Sequence, residues 1–70
     1  MSKAAVFTFR EIINTNEALQ DELRDGASLI DLASRYRIAI TAQDVRGALE
    51  EMRDELAEEE IGWFEAASEG

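Results

Sequence analysis

Carboxylates are the side chains of this sequence that remain available for acid–base or metal chemistry. The 70 residues include 16 Asp and Glu but no His and no Cys. The usual ligands for zinc and iron, the cysteine nucleophile and the commonest general base are therefore all missing. We expect neither an enzyme activity nor a bound metal or cofactor, and the lack of Cys also leaves the redox compartment open.

The acids are concentrated in one run, EEMRDELAEEE at residues 50–60. Its seven acids and one arginine contribute −6 of the net charge of −9. A helix would splay these carboxylates around its axis, and the alternating oxygen ligands around a glycine that define an EF-hand are absent. We interpret the run as a solvated helix face, with a docking surface for a basic partner as the alternative.

Charge also argues against nucleic acid as a partner, because binding to phosphates draws its affinity from Lys and Arg. Two helical patterns joined by a turn, in LASRYRIAITAQDVRGAL, superficially match a helix-turn-helix. The second helix would present the acids Asp44, Glu50 and Glu51 to the DNA phosphates, and Arg46 would be its one basic residue there. The phosphates would therefore repel this helix. No run of about 18 apolar residues or secretory signal is present, so we expect no membrane span and a cytoplasmic protein.

Apolar residues at helical spacing predict an all-α fold, a small single-domain bundle of four helices. The first helix starts at Ser2 as N-cap and runs through Ile13, with Phe9 in its buried stripe. The second covers residues 17–25, is capped by Asn16 or Thr15, and stops at Gly26, which can adopt the left-handed conformation. Leu19 and Leu23 supply its narrow apolar edge.

The third helix is also short, and the fourth is expected to be the longest and acidic. Ser28 is the predicted N-cap of the third, and Thr41 with Asp44 repeats the cap-and-acid pattern for the fourth. Gly47 inside the fourth helix would be explained by a close backbone, either that of the third helix or that of the linker at residues 38–40. The apolar stripe of the fourth helix ends at Leu56.

The C-terminal aromatics are open to two interpretations. We assign residues 1–62 to the helical domain and residues 63–70 to a flexible tail. Trp63 and Phe64 either anchor a partner, as large aromatics often do, or fold back over the helical core.

Several short segments together resemble the Nif-eleven family of small nitrogen-fixation-associated proteins and leader-like domains. The resemblance covers roughly residues 2–61, and each of its elements is a degenerate apolar pattern. It is carried by Phe9, the segment NEALQ at residues 16–20 with Leu23, IDLA at 30–33, ITAQDV at 40–45, Ala48 with Leu49, and DEL at 54–56.

The resemblance implies a helical leader of a ribosomally made peptide, held by a modifying enzyme such as a lanthionine synthetase. This chain departs from that plan, because it has no Gly-Gly cleavage pair and no core rich in Cys, Ser or Thr. Two possibilities agree with this departure: a leader from which the core peptide has been removed, and a stand-alone member of the family whose role is undefined. The alternative function is a regulatory or structural adaptor associated with nitrogen fixation, acting as a homodimer.

The predicted function is thus a non-enzymatic recognition domain that presents apolar anchors and steering charges to a protein partner. A helix laid in a groove of the partner is the expected binding mode. The predicted contacts are Phe7, Leu19, Leu23, Trp63 and Phe64, with Glu55, Glu58 and Glu59 as steering charges.

Overall fold

Local capping and turn preferences divide this protein into helices. The computed structural model describes residues 3–69, which form five α-helices and one 3₁₀ turn. This confirms the all-α prediction, but with five helices rather than four. The helices are α1 (Lys3–Asn14), α2 (Glu17–Arg24), α3 (Leu29–Arg35), α4 (Ala42–Met52) and α5 (Glu58–Glu69), and the 3₁₀ turn is Arg53–Glu55.

The helix starts follow the capping signals of the sequence. Asn16 caps α2, because its side chain accepts a hydrogen bond from the Leu19 N–H at 3.3 Å. Thr41 and Asp44 form the full capping box of α4, with two reciprocal bonds of 3.1 Å. Ser28 takes the N-cap position of α3, but its hydroxyl makes no capping bond. The predicted cap at Ser2 lies outside the described residues.

Helices α2 and α3 end in the same Schellman arrangement. In each, the residue after the C-cap is left-handed, and two backbone N–H groups bond back to the last helical turn. That residue is Gly26 in α2, at φ +104°, as predicted, but it is Arg37 in α3, at φ +61°. A side chain is strained in this region, so α3 stops at a cost that α2 avoids.

The predicted fourth helix is interrupted at Met52. After the 3₁₀ turn, Leu56 is extended, with ψ 143°, and its side chain is only 8% exposed. The chain then reverses, and α5 packs on α4 and also contacts α3. The expected boundary between a domain at 1–62 and a tail at 63–70 falls inside α5, which is a helix through Glu69 because Phe64 and Ala67 pack into the core.

Helix α4 links the two halves of the core, since it contacts both α1 and α5, while α1 also contacts α2. The radius of gyration, 10.5 Å, is close to the roughly 11 Å expected of a compact domain of this length. Within residues 3–69, no helix has the length and apolarity needed to cross a membrane. The core side chains that are no more than 2% exposed are Val6, Phe9, Ile13, Leu29, Leu32, Ala33, Val45, Ala48 and Phe64.

Gly47 lies against the side chain of Lys3, and not against a helix or linker backbone as predicted. A Cβ on this residue would lie 3.2 Å from the Cδ atom of Lys3, a side chain of α1, and not against the backbone of α3 or of the linker. The Lys3 stem passes over Gly47 and its Nζ reaches Glu51 Oε2 at 2.9 Å. The glycine therefore accommodates a flexible side chain that ties α1 to α4.

Replacing Arg37 by glycine should stabilise the protein. The variant Arg37→Gly removes a left-handed strain of roughly 1–2 kcal/mol, offset by about 0.5–1 kcal/mol of extra chain entropy in the unfolded state. We expect the free energy of unfolding to rise by about 0.5–1 kcal/mol, as measured by urea denaturation followed by circular dichroism.

The variant Arg37→Ala is the matched control, because it removes the same side chain but keeps the Cβ that causes the strain. Its stability should stay within about 0.5 kcal/mol of the native chain. An equal gain in both variants would mean that loss of the guanidinium, and not relief of the backbone, is responsible.

Candidate functional site

An open cleft separates α5 from the turn between α2 and α3. We call it the Trp63 cleft, and its volume is about 240 Å³. For comparison, a cavity of about 150 Å³ accommodates a benzene ring. The cleft is therefore large enough for one long side chain of a partner. It is lined by Leu23, Gly26, Ala27, Ser28, Leu29, Gly62, Trp63, Ala66 and Ala67.

The cleft exists because its walls carry small residues. Gly62 and Ala66 are four residues apart and so lie on one face of α5. On the opposite wall, Gly26 and Ala27 form the left-handed end of α2. A Cβ placed on either glycine would meet no atom within 4 Å. The missing side chains, not a gap between badly packed helices, create the space.

Trp63 and Phe64 separate into two roles, because consecutive residues of a helix point about 100° apart. Phe64 is 1% exposed and packs in the core. Trp63 is half-buried, packs against the edge of the core and lines the cleft. Phe64 thus folds over the core, as one of the two interpretations predicts, while the partly exposed Trp63 leaves the partner interpretation as a prediction.

A salt bridge joins the two walls of the cleft. Arg24, at the end of α2, donates to both carboxylate oxygens of Glu59 on α5, at 2.7 Å from Nε and 3.0 Å from Nη2. Arg24 Nη1 also reaches Asp21 Oδ1, at 3.3 Å. The hydrogen bond from Arg24 lowers the pKa of Glu59. The same bond raises the pKa of Arg24, so the pair stays charged at neutral pH.

Three of the predicted apolar contacts are core residues. Leu19 is 3% exposed and Phe64 is 1% exposed, so a partner cannot reach them while the fold is closed. Leu23, which is 5% exposed, contributes only a small surface to the cleft. We therefore replace Leu19 and Phe64 as candidate contacts by the residues of the Trp63 cleft.

The other predicted site residues lie outside the core. Phe7 is a half-buried residue of α1 and does not line the cleft. Glu55 and Glu58 are exposed, and Glu59 is occupied by Arg24. Among residues 3–69, no three carboxylates are grouped to hold a metal ion. The structure brings Trp63 together with Leu23 in the lining of the cleft, and the Arg24–Glu59 pair joins α2 and α5, the helices that carry these two residues.

Sequence reasoning missed the small residues of the cleft. Its one available signal was the spacing of Gly62 and Ala66, which leaves a shallow face on any helix that contains both. The spacing could not be interpreted as a helix face, because residues 63–70, which include Ala66, are predicted from the sequence to form a flexible tail. Gly26 was identified only as a helix stop, and the opposite wall became recognisable once α5 was seen to fold back.

The two aromatics should differ in their importance for stability. Phe64→Ala should lower the free energy of unfolding by about 3–5 kcal/mol through loss of core packing, a large share of the roughly 4–10 kcal/mol available to a chain of this size. Trp63→Ala removes a half-buried ring and should cost less than about 2 kcal/mol. Urea denaturation followed by circular dichroism measures both, and equal losses would contradict the assignment.

The Arg24–Glu59 pair should make stability depend on pH. The pKa of Glu59 is depressed in the folded state, so its stabilising contribution is complete above the unfolded pKa of a glutamate and is lost as the pH falls through the folded value. The melting temperature of the native chain should exceed that of Glu59→Gln at pH 7, and the difference should shrink as the pH falls below about 4.3, the unfolded pKa of a glutamate, and through the lower folded value.

Glu58→Gln is the control for this titration, since Glu58 is exposed and makes no ion pair within the described residues. Removing its charge should leave the same pH dependence as in the native chain. A difference between the native chain and Glu59→Gln that stays unchanged from pH 7 down to about pH 2 would show that the carboxylate charge is not what stabilises this contact.

Comparisons with protein-family profiles, with curated proteins and with solved structures find no match for this chain. The resemblance to the Nif-eleven family therefore stays a prediction from the residues that carry it. The candidate site is inferred from the structure of this chain alone. It is an apolar cleft lined by Trp63, and the Arg24–Glu59 ion pair joins the helices α2 and α5 on its two sides.

Proposed function

We propose that this protein is a non-enzymatic recognition domain that binds a protein partner through the Trp63 cleft. The observation that carries the proposal is a half-buried tryptophan beside an open apolar cleft in an otherwise well-packed core. Tryptophan is the residue type most enriched among the side chains that dominate interface energies, and it acts best when seated beside a pocket.

Tyr36, the most exposed aromatic of residues 3–69, is less suited to this role. Among residues 3–69, Tyr36 is the one large hydrophobic residue that is exposed, at 42%. Its ring packs on Phe9 with centroids 5.9 Å apart, and its hydroxyl accepts a hydrogen bond from Asn16 Nδ2 at 3.3 Å. Tyr36 is therefore held by its own fold, and it does not line the Trp63 cleft.

Charge favours a basic surface on the partner. Five of the seven bases pair with acids of this chain, and Arg46 donates to the backbone oxygen of Ser68 at 2.7 Å. These bases are occupied within the fold, while the chain keeps a net charge of −9. An acidic surface of this kind accelerates association with a basic partner and repels an acidic one. Glu55 and Glu58 are the proposed steering charges.

The resemblance to Nif-eleven leaders supports a more specific proposal, in which the partner is a cytoplasmic peptide-modifying enzyme. The chain would be held as a folded unit, since the two walls of its cleft come from distant parts of the sequence. It would contribute no catalytic group, cofactor or metal to the reaction. Its role is to place an attached peptide at the active site of the enzyme, where proximity raises the rate of modification.

A stand-alone adaptor associated with nitrogen fixation is the alternative, and it would act as a homodimer. Two copies that each carry a charge of −9 repel one another, so this assembly has less support than a basic partner. Light scattering at increasing salt concentration separates the two functions. A stable dimer whose tryptophan becomes buried would favour the adaptor.

Filling the cleft should abolish binding without harming the fold. In Gly62→Leu the new side chain enters open space, and leucine is a better helix former than glycine by about 0.8 kcal/mol. Titration calorimetry against a peptide-modifying enzyme encoded beside this chain should show an affinity loss of at least about 2 kcal/mol, roughly thirtyfold.

Gly62→Ala is the matched control, because its single methyl group leaves most of the cleft open. Its affinity should stay within about threefold of the native value. Circular dichroism should show that both variants are folded. Native affinity in a folded Gly62→Leu variant would exclude the cleft from the interface.

A further inference from the structure

We infer that the Trp63 cleft receives a cationic side chain, a lysine or arginine of the partner. The inference rests on the proposed function, and it names the chemical group that the site recognises. Three features support it: the size and lining of the cleft, the aromatic ring among its lining residues, and the surplus of negative charge on the elements that form it.

The size and the lining of the cleft suit a side chain with an aliphatic stem and a polar end. The lining is mostly apolar and includes Ala27, Gly62 and Ala66, so it offers surface for methylene groups. Lysine and arginine place an aliphatic stem along such a surface while the charged end stays near water. A volume of about 240 Å³ is sufficient for such a stem.

The ring of Trp63 adds a preference for a positive charge. Tryptophan has the strongest quadrupole of the aromatic side chains, and it attracts a guanidinium or ammonium that lies over its face. Trp63 is half-buried and lines the cleft, so a group in the cleft contacts the ring without displacing it from the core.

The elements around the cleft carry uncompensated acids. Residues 21–31 and 58–67 contain eight Asp and Glu against one base, Arg24. Four of the eight acids are paired with basic side chains. The pairs are Arg24–Glu59, Arg10–Glu60, Arg35–Glu22 and Arg53–Glu65. The four that remain are Asp21, which shares Arg24 at 3.3 Å, and Asp25, Asp31 and Glu58, all of them exposed.

Other occupants fit this environment less well. An acidic side chain would be repelled by the four remaining carboxylates. A purely apolar side chain would fill the cleft but would displace water from nearby carboxylates without supplying a counter-charge. A cation with an aliphatic stem satisfies the apolar walls, the ring and the acids together. Asp25 stands closest in sequence to the cleft, directly before Gly26, and we assign it the main share of the charge recognition.

A pair of small molecules tests the inference without knowledge of the partner. n-Butylguanidinium carries the arginine end group, and n-butylurea is its neutral counterpart of nearly the same shape. Trp63 is the single tryptophan of the chain, so its fluorescence reports on this cleft alone. The cation should bind at least about fivefold more tightly than the urea, and the ratio should fall toward one at 1 M salt, where screening is nearly complete.

Variants then locate the charge that is responsible. Asp25→Asn should weaken binding of n-butylguanidinium by about threefold or more and leave n-butylurea unchanged. Glu50→Gln, which removes an exposed acid of α4, is the matched control and should change neither affinity. Gly62→Leu should remove binding of both probes, which shows that the fluorescence change comes from the cleft.

The possible results separate this inference from the proposed function. Equal affinity for the charged and neutral probes, or equal effects of Asp25→Asn and Glu50→Gln, would overturn the preference for a cation. If Gly62→Leu abolished enzyme binding at the same time, the cleft would still be the recognition site. If n-butylguanidinium were preferred but Gly62→Leu bound the enzyme with native affinity, the proposed function would fail and the cation preference of the cleft would stand.

Discussion

The packing of α5 against α4 is the constraint on which the rest of this structure depends. Phe64 of α5 is among the largest fully buried side chains of the described residues. It reaches the core only because the chain reverses after Met52, where the 3₁₀ turn and the buried, extended Leu56 replace what would otherwise be a straight helix. If α5 undocked, Phe64 would be exposed and one wall of the Trp63 cleft would be gone.

A partly buried salt bridge between α1 and α5 supports this reversal of the chain. Arg10 of α1 donates to Glu60 at 2.7 Å, with side-chain exposures of 23% and 14%. The bond to Glu60 is the main reason that the pKa of Arg10 is raised. Glu60 also accepts the Ala57 N–H at 3.3 Å, so one carboxylate caps the start of α5 and ties it to α1. Glu58 and Glu59 share that first turn, where the helix dipole favours negative charge.

Local signals in the sequence predict where α2, α3 and α4 begin, but neither the break after Met52 nor the fifth helix. Asn16, Gly26 and the Thr41–Asp44 box each act over three or four residues, and the sequence shows such interactions directly. The acidic run was interpreted as the outer face of one long helix, although three acids before an apolar segment are also typical of a helix start. The break itself depends on the docking of Phe64 against distant residues, and no periodicity within the run records that contact.

The candidate site shows the same limit, because its two walls are about 35 residues apart in the sequence. A partner that binds the Trp63 cleft must therefore recognise the folded chain, since neither wall alone forms the cleft. Binding that requires the fold also stabilises it, by RT ln(1 + [L]/Kd). A ligand at a hundred times its dissociation constant adds about 2.7 kcal/mol, a large gain for a domain with one small core. Any recognition through the Trp63 cleft is thus coupled to folding through the docking of α5.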